Sequence, residues 1–134
     1  MIRVVLDTNI LISALLSPLG PPAQVFLMSI REPDAQLCVS RVIYAEYEEV
    51  IRRPRLKRSD SEIEAALLTI RAKGSWVTPT EKVHACSDPD DDIFLECAHA
   101  ASANYLVTGN LKDFPAEWGS TKVVTARQFL DAVV

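Results

Sequence analysis

The chain has 134 residues, 49% of them apolar, 24% charged and 7% aromatic, with a formal net charge of −4 at pH 7. That length suits one domain spanning residues 1–134, able to bury roughly two-thirds of its unfolded surface without staples. The apolar run after Asn9 stops at Pro18, short of the ~20 residues that cross a bilayer, so no membrane partner is expected.

The first nine residues, MIRVVLDTN, carry Ile2, Val4, Val5 and Leu6 in a short run rich in β-branched side chains. Such a near-continuous apolar run reads as a strand buried on both faces of a parallel sheet. It stops at Asp7-Thr8-Asn9, and Ile10 to Leu16 reads as helix. An acid at that point lies at the carboxyl end of a strand, where open α/β sheets place their ligands. The plain alternative is that Asp7 or Thr8 caps the helix.

Pro18, Gly20, Pro21 and Pro22 break the chain, and Pro22 suits the first turn of a second helix running to about Arg31. Glu32-Pro33-Asp34 reads as a turn and Gln36 to Val39 as a second strand. Ser40 then starts a helix, SRVIYAEYEEVIRR, that Pro54 ends. At about 100° per residue Glu46 falls between Val42 and Val50, inside the apolar arc. A carboxylate there is costly unless it is paired or metal-bound. Arg52, Arg53, Arg55, Lys57 and Arg58 crowd around Pro54, either as a solvated loop or as a patch for phosphates or a partner.

Ser59 and Glu62 have capping-box spacing and open a helix that stops near Gly74. Ser75 to Thr78 reads as a short strand. Ser87 to Asp92 holds four acids in six residues, followed by a helix from about Asp90 to Ala103. Its helical projection puts Asp92, Glu96 and His99 on the wet face and Asp91 at the margin of the packed face. Asp91 is therefore the acid aimed toward the sheet edge, with Asp90 the second choice and Asp88 a turn or N-cap residue. Tyr105 to Thr108 forms another strand, ended by Gly109-Asn110, and Asp113 lies in the loop beyond. Val123 to Thr125 is a last strand, and Thr125 caps a final helix, Ala126 to Val133. Four or five short strands alternating with helices predict an α/β fold with a mostly parallel sheet covered on both faces.

In such a sheet the strand carboxyl ends share one edge, so Asp7, Glu46, Asp91 and Asp113 can converge from distant parts of the chain. Gathered carboxylates repel one another unless cations lie between them. All-oxygen ligands suit a hard cation, Mg²⁺ or Mn²⁺, and such ions support hydrolysis of phosphodiesters. Thr8, Asn9, Thr108 and Asn110 are placed to hydrogen-bond the carboxylates, water or phosphate. The acidic balance argues mildly against nucleic acid, but bound cations reverse the local charge.

Four segments, VVLDTNILISALL, SRVIYAEYEEVIRRP, DPDDDIFLECAHAASANYLVTGNLKDF and VVTARQFL, together resemble PIN-domain proteins, and among them VapC-type toxins of toxin–antitoxin systems. The resemblance implies a three-layer α/β/α sandwich and an Mg²⁺- or Mn²⁺-dependent endoribonuclease. It aligns Asp7, Glu46 and Asp91 with the family's first three acids. Many relatives carry a fourth acid directly after TG, where this chain has Asn110. The fourth role therefore passes to Asp113, with Asn110 as an outer ligand. A homodimer and an antitoxin that blocks the site are also implied.

Two other readings stand beside this one. Asn110 fits a degenerate PIN module that binds RNA or a protein without cutting. Asp7 as a phosphatase nucleophile, as in haloacid-dehalogenase-like enzymes, needs a second Asp two residues on, where this chain has Asn9. Cys97 and His99 point about 200° apart on a helix and cannot share a zinc ion. Cys38, Cys86 and Cys97 are odd in number and form no CxxC, which fits a reducing cytoplasm.

Overall fold

Strand β1, Ile2–Leu6, runs through the middle of the sheet, and Val4, Val5 and Leu6 are fully or almost fully buried. The computed structural model describes residues 1–31 and 33–134, without the Arg55 side chain. Glu32, in the expected turn, lies outside the described residues. The remaining strands are β2 (Ala35–Val39), β3 (Ser75–Trp76), β4 (Tyr105–Val107), β5 (Glu117–Trp118) and β6 (Thr121–Val124), in the order β3-β2-β1-β4-β6-β5. All neighbours pair parallel except β5 with β6.

The sheet thus has six strands where the sequence predicts four or five. The extra one, β5, has only two residues and no alternation to betray it. It exists because Gly119 adopts a left-handed conformation (φ 57°) that turns the chain back onto β6.

Among the described residues the α-helices are α1 (Thr8–Leu16), α2 (Pro21–Ser29), α3 (Arg41–Ile51), α4 (Asp60–Lys73), α5 (Asp92–Ala101) and α6 (Ala126–Val133). The starts follow the expected caps. Ser40 accepts from the Ile43 N–H, Ser59 from Glu62, and Thr125 forms a full capping box with Gln128. α5 ends earlier than expected, because Ser102 is left-handed (φ 51°) and the Ala103 N–H turns back to the Ala98 carbonyl.

Arg3 of β1 donates to the Ala101 carbonyl of α5, whereas Tyr105, in register with Val4, packs edge-on against Phe129 of α6. Successive strand residues face opposite sides, so α5 and α6 cover opposite faces. α2 packs on β1, β2 and α6, giving the three layers. α3 touches both α1 and α5. Its buried stripe is Ile43, Tyr47 and Ile51, while Val42 is 59% exposed. The expected arc is therefore rotated, and Glu46 lies half-buried at the stripe's margin, not inside it. Among the described residues no single helix is long and apolar enough to cross a membrane.

Candidate active site

The parallel register fixes Asp7 at the carboxyl edge of the sheet. Its N–H continues the ladder to the Val107 carbonyl at 2.9 Å, and the Tyr47 hydroxyl donates to the carbonyl of Leu6 just before it. Asp7 is only 6% exposed and stands at the N-cap position of α1, where its side chain makes no capping hydrogen bond of good geometry. Its Oδ2 accepts from Thr108 Oγ1 at 2.7 Å. Burial raises its pKa, with the nearby Glu46 charge adding to it, against the lowering effect of Thr108 and of the Thr8 and Asn9 N–H groups. Thr8 is buried and its hydroxyl donates to Glu46 Oε2, so one turn of α1 aims the α3 carboxylate at the same edge. Asn9 is exposed on that turn.

Asp91 ends a 3₁₀ turn, Pro89–Asp91, which Asp88 opens by accepting from the Asp90 N–H at 2.9 Å. Its pKa is raised to about 6, by burial first and then by the charges of Asp7, Asp88, Asp113 and Glu46. The four acids singled out in the sequence thus share one electrostatic neighbourhood, and Asp88, read there as a turn or N-cap residue, joins them. Asp90 is exposed. Asp113 ends a second 3₁₀ turn, Leu111–Asp113, whose last carbonyl accepts from the Ser87 N–H at 3.3 Å. The Asn110 N–H donates to Thr108 Oγ1 at 3.0 Å, tying that turn to the Asp7 partner.

Two sequence expectations on α5 need correction. Asp92 is not on a wet face but 6% exposed, accepting from the N–H groups of Ala85 (3.1 Å) and Cys86 (2.9 Å). Burial opposes its charge, yet those donors win and hold its pKa below the usual value. Glu96 is half-buried and accepts from the Val83 N–H at 3.0 Å. The cause is one strap, residues 83–87, that lies against this side of α5 and that helical periodicity cannot reveal. His99 remains exposed, beside Glu81. The Cys86 thiol is pushed up to about 12 by burial and then by Asp92, Asp91 and Asp113, so it rests protonated.

The basic run is largely spent on ion pairs. Arg52 meets Glu48 and Glu64, Arg53 meets Glu49 at 2.9 Å, and Arg58 lies 3.8 Å from Glu62. Lys57 is exposed in a left-handed conformation (φ 53°), and the Arg55 side chain lies outside the described residues.

Among the described residues no three His, Cys, Asp or Glu side chains form a closed metal cage. An all-carboxylate donor set under mutual repulsion still suits Mg²⁺. That ion keeps several waters and takes only one or two carboxylates together with substrate phosphate.

A family model described as a PIN domain matches residues 3–112. An uncharacterised protein of Methanocaldococcus jannaschii is 28% identical over 112 residues, spanning 81% of this chain and 71% of that protein. A chain in the structure of VapBC2 from Rickettsia felis, bound to a DNA fragment from its promoter, superposes with a TM-score of 0.57. It has 13% identity and covers 91% of this chain and 97% of its own. A chain of VapBC-1 from nontypeable Haemophilus influenzae gives 0.55 at 19% identity, covering 84% and 90%. At such identities the likeness is one of fold.

Proposed function

The chain belongs to the PIN-domain family, and from that premise we infer that it is an Mg²⁺- or Mn²⁺-dependent endoribonuclease. The observation that carries the reading is the Asp91 carboxyl, whose proton affinity is raised first by burial and then by the charges of Asp7, Asp88, Asp113 and Glu46. Carboxylates repelling one another at the carboxyl edge of a parallel sheet are poised for a divalent cation. Such an ion, when bound, lowers the pKa of water and stabilises both oxygens of an in-line phosphoryl displacement.

The chain's own part is positioning. Thr108 fixes Asp7, Thr8 fixes Glu46, and the Asp88 turn presents Asp91. Asn110 stands at the start and Asp113 at the end of the neighbouring 3₁₀ turn. On the sequence resemblance to VapC-type toxins we extend the reading to a cytoplasmic toxin with a cognate antitoxin and a homodimeric state; the chains from two VapBC structures share this chain's fold. The Asn110 amide, standing where many relatives have an acid, is the one feature that favours a binding module without cleavage.

The test is incubation of structured RNAs with the purified chain and Mg²⁺ or Mn²⁺. Cleavage lost with EDTA and in Asp7→Asn supports the reading. Cleavage indifferent to Asp7→Asn, or none by a chain that fails to bind Mn²⁺, overturns it.

A further inference from the structure

If RNA reaches the acidic edge, something other than the ion-paired run near Pro54 must hold it. Trp76 is 43% exposed, an unusual state for an indole. Its ring centroid lies 5.4 Å from that of Tyr44 at 52°, and its Nε1 donates to the Arg71 carbonyl at 3.2 Å. Arg71 in turn places its guanidinium carbon 5.8 Å from the Tyr44 ring centroid, and Nη1 donates to the Tyr44 hydroxyl at 2.6 Å. The three side chains hold one another in place on the surface.

Charge and position both favour a polyanion. Arg71 forms no ion pair among the described residues, and neither does Arg41, one turn before Tyr44 on α3. The nearest acid further along that face, Glu48, is engaged by Arg52 at 3.6 Å. Trp76 pairs with Val39 of β2, and the Val4–Leu37 register sets Val39 beside Leu6, the residue before Asp7. Trp76 therefore sits at the same sheet edge as the acids, two strands away, about 10 Å by strand spacing. That span matches a strand whose bases stack on an aromatic while a neighbouring phosphate enters the cluster.

We propose that Trp76, Tyr44 and Arg71, with Arg41, form a stacking platform for unpaired bases of a single-stranded RNA next to the cleavage site. The proposal rests on the nuclease reading above and adds where the substrate lies and that it is locally unpaired. Aromatic stacking reads π-faces, so it predicts weak base preference and discrimination against duplex.

The test uses the Asp7→Asn, Trp118→Phe double variant, which leaves Trp76 as its sole tryptophan. A short single-stranded RNA of mixed sequence should quench its fluorescence saturably, with a midpoint that weakens as salt rises. In the Asp7→Asn chain, Trp76→Leu should weaken RNA affinity by about tenfold or more. Trp76→Phe, which keeps a ring but loses the N–H bond to Arg71, should restore most of it. In the cleaving chain the same loss should appear in KM and not in kcat. Unchanged affinity and KM in a folded Trp76→Leu chain would overturn the platform while leaving the nuclease reading intact. A self-association that buries Trp76 and excludes RNA would assign the face to a second copy and overturn it as well. Failure of the parent chain to bind any RNA would overturn both.

Discussion

Thr108 Oγ1 donates to Asp7 Oδ2 at 2.7 Å and accepts from the Asn110 N–H at 3.0 Å, so one hydroxyl links the ends of two neighbouring parallel strands. The bond lowers the Asp7 pKa against the rise caused by burial. Thr108→Val keeps the shape and removes the donor. It should raise the Asp7 pKa further, move the acid limb of the pH–rate profile upward, and weaken Mn²⁺ affinity by about 10- to 100-fold. A pH profile of RNA cleavage beside a Mn²⁺ titration checks both.

Asp91 sets a second pH dependence. Its pKa of about 6 lies above the usual carboxylate value, so the folded chain binds the proton more tightly than the unfolded chain does. Without metal, this group's contribution to stability is therefore lost as pH rises from about 4 through about 6. Divalent cations must displace the same proton, so their affinity should rise across that window and level off above it. The gap between melting temperatures with and without Mn²⁺ should widen from about pH 4 to about pH 6 and hold steady above it.

Adjacent acids should behave in opposite ways. Asp91→Asn removes a repelled charge and should raise the metal-free melting temperature. Asp92→Ala strips the acceptor from the Ala85 and Cys86 N–H groups and should cost about 2–4 kcal/mol. Chemical denaturation of the two variants separates site from scaffold.

Gly74 follows α4 with φ −68°, so space and not conformation demands glycine. A Cβ there would lie 2.7 Å from the Ile70 carbonyl oxygen and 2.9 Å from Val39 Cγ1. Gly74→Ala should destabilise by about 1–3 kcal/mol in a denaturant melt.

What the sequence made legible was governed by local periodicity and caps. β1, β2, β4 and the starts of α3, α4 and α6 all follow from apolar runs and from Ser40, Ser59 and Thr125. That Asp7, Glu46, Asp91 and Asp113 share one neighbourhood was readable because a parallel sheet gathers strand ends. The misses are tertiary. Asp92 and Glu96 are covered by a strap arriving from residues 83–87, β5 exists through one left-handed glycine, and the arginines near Pro54 find acids on α3 and α4. Arg52–Glu48, Arg53–Glu49 and Arg58–Glu62 are each four apart and do fall at helical spacing. The strap, the glycine turn and the Arg52–Glu64 pair leave no period in the sequence.

We propose that the carboxylates of Asp7 after β1, Glu46 on α3 and Asp91 and Asp113 on two 3₁₀ turns together hold a divalent cation. The most direct measurement is calorimetric titration of Mn²⁺ into the chain and into Asp7→Asn and Asp91→Asn at neutral pH. Saturable binding to the parent, with proton release, and a loss of about tenfold or more in each variant is the predicted result. Equal Mn²⁺ affinity in all three proteins would contradict it.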